Sequence, residues 1–236
     1  MKKTNFWSAD IRFLSEEEIS EKVFKNLLTK EKFSILFLEP NTMYHLLFDR
    51  EFQNALLPHT IFVPSSKFIA SLVGNLKESN NVTYVKESSA IFRSLRHISD
   101  YHYRILLIDS SDKIVSRFKK NINSSIRGSS LNIIGIHNIY TKKHKNQKIE
   151  TIRKIEPDIA IVGDNVIKFI KLIHKDRELL KNSSLIFSNS GVKIIAGSFG
   201  IKTIFSKAKR FLESVMIFLW FLKERILITL RGKKWK

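Results

Sequence analysis

Four short stretches carry the side chains of this chain that could do chemistry: Glu39-Pro40-Asn41, Pro64-Ser65-Ser66, Gly135-Ile136-His137-Asn138-Ile139-Tyr140 and Gly163-Asp164-Asn165. Each follows an apolar run of strand length, and in an open α/β sheet ligands bind beyond the carboxyl ends of the strands. The set offers carboxylates for proton transfer (Glu39, Asp164), amides and a phenol for hydrogen bonding (Asn41, Asn165, Tyr140) and a loop imidazole (His137). Ser65 is no base at neutral pH without an activator of its own. Each also has a plain reading. Asn41, Asp164 and Asn165 suit helix caps, Tyr140 suits a strand end, and a lone loop histidine is more often hydrogen-bonded than catalytic. No His, Asp and Glu cluster has metal-ligand spacing, so no metal or other cofactor is expected. Neither a Walker loop nor Gly-x-Gly-x-x-Gly occurs.

The elements that must position these residues follow from periodicity. Ser15 and Glu18 form a capping-box pattern before a helix whose inner face is Ile19, Val23 and Leu27. Apolar strands are expected at 33–38, 60–63, 104–108, 159–162 and 184–188, with a shorter one at 82–85. Residues 131–140 (LNIIGIHNIY) read as the central strand. Helices are expected between them at 43–57, 67–76, 88–98, 113–126 and 166–180. This β-α-β rhythm predicts an α/β, Rossmann-like, mostly parallel sheet flanked by helices. Residues 1–201 form the α/β domain, with a seam at 78–81, and 202–236 a basic helical appendage.

Lys and Arg number 41 against 22 Asp and Glu, a formal charge of +19, which implies an anionic partner. The 236 residues are enough for a sizeable core. There is no cysteine, which excludes disulfides, thiolate metal sites and Cys nucleophiles. No secretory leader and no run of about 18 uncharged apolar residues is seen, so no spanning helix is expected.

The appendage combines an apolar stretch, 215–222 (VMIFLWFL), with Lys209, Arg210, Lys223, Arg225 and Arg231, and with Trp220 and Trp235 near basic residues. That composition suits an interfacial helix on an anionic bilayer. It equally suits a helix packed on the domain with its charges solvated. Self-association is a third use of the apolar stretch.

Taken in order, these stretches resemble the WecG/TagA/CpsF glycosyltransferases from about Ile35 to the end of the chain. Glu39-Pro40-Asn41 stands at the family's Thr-Pro-Asn, and Asp49, Phe52, Ala55 and Leu56 match its Asp-x-x-Phe-x-x-Ala-Leu. Gly135 and Tyr140 match Ile-Val-Gly-x-x-x-Gly-Tyr, Ile155 to Gly163 follows the strand before Gly-x-Pro-Lys-Gln-Glu, and Ala196-Gly197 and Leu212-Glu213 fit late elements. Two departures matter. Ser65 replaces the Asp of Pro-Asp-Gly, which looks like the family's catalytic base, and Asp164-Asn165 replaces the Gln-Glu loop.

The resemblance implies transfer of a hexose or N-acetylhexosamine from a UDP-sugar to a lipid-pyrophosphate-linked glycan, in bacterial surface-polysaccharide synthesis. It places the enzyme in the cytoplasm against the inner membrane. Ser65 then occupies an impaired catalytic position and Glu39 is a displaced carboxylate. Asn41, Gly135, His137, Tyr140, Gly163, Asp164 and Asn165 become substrate-binding candidates. Lys142, Lys143 and Lys145 are candidates for the pyrophosphate. A catalytically inert relative that binds a sugar nucleotide or a glycan lipid is the alternative. A nucleic-acid-binding protein is a remote one, because the basic residues are dispersed and no reader motif is present.

Overall fold

A computed structural model describes residues 9–77, 82–126, 128, 131–137, 139–140, 145–198 and 204–231. Among them seven strands form one sheet in which every neighbouring pair is parallel. The strands are β1 (Asp10–Ile11), β2 (Ser34–Leu38), β3 (Thr60–Pro64), β4 (Arg104–Asp109), β5 (Asn132–His137), β6 (Ile159–Val162) and β7 (Ser184–Phe187), in the order β1-β3-β2-β7-β6-β4-β5. This is the Rossmann-like α/β fold that the alternating pattern predicts. Residues 78–81 lie outside the described residues, but β3 and β4 on either side of them belong to the same sheet.

The inner strands read as unbroken apolar runs because both faces of a parallel sheet are covered. Alternation sends Leu36, Leu38, Phe62, Leu106, Ile108, Ala160 and Val162 to one face. There they meet α2 (Pro40–Phe48), α3 (Arg50–Ala55), α4 (Lys67–Lys77), α7 (Lys145–Ile155), α8 (Val166–Lys175) and α10 (Ile204–Arg231). Ile35, Phe37, Ile61, Val63, Ile105, Leu107 and Ile161 face the other way. They pack on α1 (Glu16–Leu28), α5 (Glu87–His97), α6 (Asp112–Ser125) and the short α9 (Gly191–Ile195). The capping box forms as expected: Glu18 N–H donates to Ser15 Oγ (3.2 Å), and Ser15 N–H donates to the Glu18 carboxylate (2.6 Å).

Three local expectations change. Residues 131–140 are not central, since β5 is an edge strand paired only with β4 among the described residues. Residues 82–85 make no strand; Val85 N–H bonds Pro64 O (3.0 Å) and the chain turns at once into α5. The single helix expected over 43–57 breaks in two at Asp49, whose backbone is extended (φ −104°, ψ 97°). Asp49 there accepts the Phe52 N–H (3.0 Å) as the cap of α3, and also takes Lys171 Nζ of α8 and His45 Nδ1, both at 2.9 Å.

Partial burial works against ionisation of Asp49, but the Phe52 amide, Lys171 and His45 outweigh it and bring its pKa down to about 2. A carboxylate depressed in this way stabilises the fold above its ordinary range near 3.8 and loses that contribution as the pH falls toward 2. Asp49→Ala should therefore cost about 1–2 kcal/mol of stability at neutral pH in urea denaturation. The difference between the two proteins should shrink as the pH is lowered through that window.

A candidate active site on the carboxyl edge of the sheet

Because the strands are parallel, every strand ends on the same edge, and two polar clusters form there. The first lies over the tip of β2. Val85 hands the chain into α5 so that Glu87, the first residue of that helix, turns its carboxylate inward. Ser65 Oγ, just past β3, donates to Glu87 Oε1 (2.9 Å). Ser188 Oγ, just past β7, donates to Oε2 (2.5 Å), as do the N–H groups of Ser190 and Gly191, each at 3.2 Å. Since β3 and β7 flank β2, this carboxylate links the tips on either side of β2, and the residue is only 4% exposed. Gly191 is required for the approach: a Cβ there would stand 2.6 Å from Ser188 Oγ and 2.8 Å from Glu87 Cβ.

Burial raises the pKa of Glu87, and the negative charge of Glu39 raises it further. The Ser188, Ser65 and Gly191 donors pull the other way, and the balance stands at about 7. Glu39 itself is the N-cap residue of α2 but makes no side-chain cap bond. Two residues on, the Asn41 side-chain oxygen is buried with no hydrogen-bond partner among the described residues. Asn189 Nδ2 reaches Thr42 Oγ1 (3.4 Å) and ties the β7 tip to α2.

The second cluster sits where β4 and β6 lie side by side. From β4 the chain crosses to β5, and from β6 it crosses the opposite way to β7, so their tips bound the crevice that such a switch opens. Asp109 is buried at the end of β4. Its Oδ1 accepts the Ser111 N–H (3.0 Å), and its Oδ2 has no partner among the described residues. Burial raises its pKa, opposed by the Ser111 amide and reinforced by Asp164.

Asp164 is ionised more readily than usual. Burial disfavours its charge, but Ser110 and Lys193 more than compensate, with Lys193 Nζ at 2.9 Å. Asn165 adopts a left-handed backbone (φ 51°) before α8 and turns its amide onto Asp164 (2.8 Å) rather than capping the helix. Tyr140 OH donates to Asn165 O (3.3 Å), and burial, with Asp164 nearby, keeps that phenol protonated.

The helix α9 joins the clusters. Gly191 touches Glu87 and Lys193 pairs with Asp164. Val192 packs so close to Gly163 that a Cβ there would lie 2.7 Å from both Val192 and Asp109 Oδ2. Glu39, Asn41 and Ser65 thus fall in one cluster, and Gly163, Asp164, Asn165 and Tyr140 in the other. Adjacent strands lie about 4.8 Å apart, so the β3 and β6 tips are separated by about 14 Å.

Two candidates stand apart. His137 ends the edge strand β5, about 24 Å across the sheet from Ser65, and its Nδ1 faces Asp112 Oδ1 (3.4 Å). Gly135 lies inside β5 with its back against Val115 of α6, a packing position rather than a strand tip. Lys142, Lys143 and the Lys145 side chain lie outside the described residues. Sequence reasoning passed over Glu87, Asp109, Ser188 and Lys193 as site residues. The available signals are Asp109-Ser110 directly after an apolar run and a Ser-Asn-Ser-Gly run after the last strand, both of the same kind as the other strand tips.

The helix α10 packs on α2 through Ile217 and Phe221, both buried, with Trp220 half-buried edge-on to Phe221. Glu213 continues the seam one turn earlier. The seam uses one side only: Phe211, Leu212, Met216, Phe218, Leu219 and Leu222 are exposed, as are Lys209, Arg210, Lys223 and Arg225. The Arg231 side chain and Trp235 lie outside the described residues. No helix of the described residues is long and apolar enough to cross a membrane.

A carboxyl group raised in the folded state is favoured while protonated, so the stability it confers falls as pH rises from its ordinary value near 4.5 through about 7. Thermal denaturation from pH 4 to 8 should show Tm declining across that interval. Glu87→Gln, which cannot ionise, should flatten the decline while keeping an acceptor for the Ser65 hydroxyl. An unchanged slope in the variant would mean that Glu87 is not the group responsible.

A search of the curated proteins returns no match. The sequence profile of the Glycosyl transferase WecG/TagA/CpsF family matches residues 4–199, well over half of the chain and every strand of the sheet. Parallel sheet and profile agree: the chain belongs to the WecG/TagA/CpsF family, glycosyltransferases involved in cell-wall polysaccharide synthesis.

Proposed function

We propose that this enzyme transfers a hexose or N-acetylhexosamine-type sugar from a UDP-sugar to a lipid-linked acceptor at the cytoplasmic face of a bacterial membrane. One observation carries the reading: on one sheet edge, a buried carboxylate cluster around Glu87 and a second cluster that holds Lys193 share a wall formed by α9. In glycosyl transfer, an acceptor oxygen bonds to the anomeric carbon while the carbon–oxygen bond to the diphosphate breaks. The acceptor must lose a proton, and the leaving diphosphate must be neutralised.

The residues divide accordingly. Lys193, half-exposed beside Asp164, supplies positive charge for the diphosphate. Asn41, Tyr140, Asp164 and Asn165 offer hydrogen bonds to ribose, sugar and phosphate oxygens. In this scheme the protein's own cation does the neutralising, and no cofactor is invoked. The appendage formed by 202–236 holds the enzyme at the bilayer: α10 keeps its Ile217 and Phe221 seam on the domain and presents an apolar strip with Lys and Arg at its margins. A strip of this kind suits an anionic headgroup layer, where each well-placed cation contributes about 1 kcal/mol.

Incubation of the full chain with a panel of UDP-sugars and vesicles carrying lipid-pyrophosphate glycans should give transfer. Lys193→Ala should slow it by about 10²-fold, the scale for loss of one charge-stabilising donor. Binding of UDP-sugar without transfer from any of them would favour the inert-relative reading, to which the serine at position 65 lends support. In co-sedimentation, vesicles rich in anionic lipid should pellet the protein and neutral vesicles should not. Phe218→Asp with Leu222→Asp, both outside the seam, should abolish pelleting while leaving Tm unchanged.

A further inference from the structure

Resting on the glycosyl-transfer reading, we propose that Ser65 and Glu87 form a proton relay in which Ser65 Oγ deprotonates the acceptor hydroxyl as its own proton passes to Glu87 Oε1. The family's carboxylate at the β3 tip is absent, and a carboxylate on a different element stands behind the serine that replaces it. Glu87 is too buried to meet the acceptor directly, whereas Ser65 is half-exposed at the edge. The hydrogen bond already runs in the required direction, from Ser65 Oγ to Oε1 at 2.9 Å, leaving the serine lone pairs free to accept from an incoming hydroxyl.

The carboxylate is also asymmetric. Oε2 takes three donors, from Ser188, Ser190 and Gly191, which occupy its accepting directions. Oε1 takes Ser65 alone among the described donors. A proton arriving at Glu87 therefore goes to Oε1, the oxygen that faces the site. A serine hydroxyl needs an activator, and a carboxyl group with its proton affinity raised toward neutrality is a suitable one.

The step balances without any further reagent. The acceptor O–H bond breaks and its proton goes to Ser65 Oγ, while the Ser65 proton goes to Glu87 Oε1. The acceptor oxygen bonds to the anomeric carbon, and the carbon–oxygen bond to the diphosphate breaks, with its electron pair leaving on UDP. Protonated Glu87 returns its proton through Ser65 to water once the product has left. Ser65 touches the acceptor in this scheme, and Glu87 is a positioning and proton-accepting residue that acts through it.

The test uses the full chain with vesicle-borne acceptor, measuring kcat and KM from pH 5 to 9 together with UDP binding by calorimetry. The wild-type kcat should rise with pH and level off above about 7, following the ionisation of Glu87. Glu87→Gln and Ser65→Ala should each lower kcat by about 10²–10⁴-fold, flatten the pH profile and leave UDP affinity within about twofold. The double variant should be no slower than either single one, because the two residues act as one unit. Ser65→Asp in the Glu87→Gln background should restore turnover and move the rising limb to lower pH. Wild-type transfer with an unaltered kcat and pH profile in Glu87→Gln overturns the relay and leaves the glycosyl-transfer reading standing. A wild-type protein that transfers from no donor overturns both. Should Glu87→Gln fail to fold, Ser65→Ala carries the same expectations, and a wild-type pH profile in it overturns the relay.

Discussion

The parallel sheet is the constraint from which the rest follows. Each crossover must return the chain to the starting edge, so strands far apart in sequence deliver their loops to one common edge. Six tips, after β2, β3, β4, β5, β6 and β7, are brought into one row although they span residues 39 to 190. The same geometry buries the inner strands on both faces, and that burial leaves Ile, Leu, Val and Phe little freedom to vary. The tips carry no such restriction. A site built from tips can lose a side chain in one loop and take a replacement from another without disturbing the core beneath.

Positions 65 and 87 illustrate that freedom. A buried carboxylate is costly unless it is hydrogen-bonded, with an effective penalty of several kcal/mol for an unpaired ion. Glu87 meets the cost with two hydroxyls and two amides, and hydrogen bonds to a charged group contribute about 1.5–3 kcal/mol each. Those donors come from the residue after β3 and from the continuous turn between β7 and α9, so the charge clasps two segments far apart in sequence onto α5. The compensation is incomplete: burial, and after it the negative charge of Glu39, leave the group with a raised proton affinity. A purely structural role would be served better by a neutral amide or by a cation in the position of Glu39. A carboxyl group of raised proton affinity at the sheet edge is what the proposed relay requires.

What the sequence discloses follows the range of the interactions concerned. The strands at 34–38, 60–64, 104–109, 159–162 and 184–187 are legible because burial on two faces leaves an unbroken apolar run. The α1 cap is legible because Ser15 and Glu18 are three residues apart. The two-residue β1 and the five-residue α9 are too short for periodicity to register. The break at Asp49 is illegible because its stabilisation comes partly from Lys171, 122 residues away. Glu87 shows the same limit most sharply: locally it is one more acidic residue opening a helix, and only the fold brings Ser65 and Ser188 to it. The family resemblance located position 65 and the missing carboxylate, but order and spacing alone carry no information about which distant residue turns toward the gap.

The short helix α9 sets the relation between the two halves of the site. Within three consecutive residues, the Gly191 amide holds Glu87, Val192 wedges against Gly163, and Lys193 holds Asp164. The Gly191 donor to Glu87 and the Lys193 cation therefore sit on one turn of helix rather than on independent loops. Asp164 also balances Lys193, which lowers the cost of holding a partly buried cation. On the proposed reading, a substrate phosphate approaching Lys193 competes with an ion pair already formed. Affinity is lost to that competition, but an anion able to offer several oxygens at once gains an advantage over one that offers a single charge, and a diphosphate is an anion of that kind.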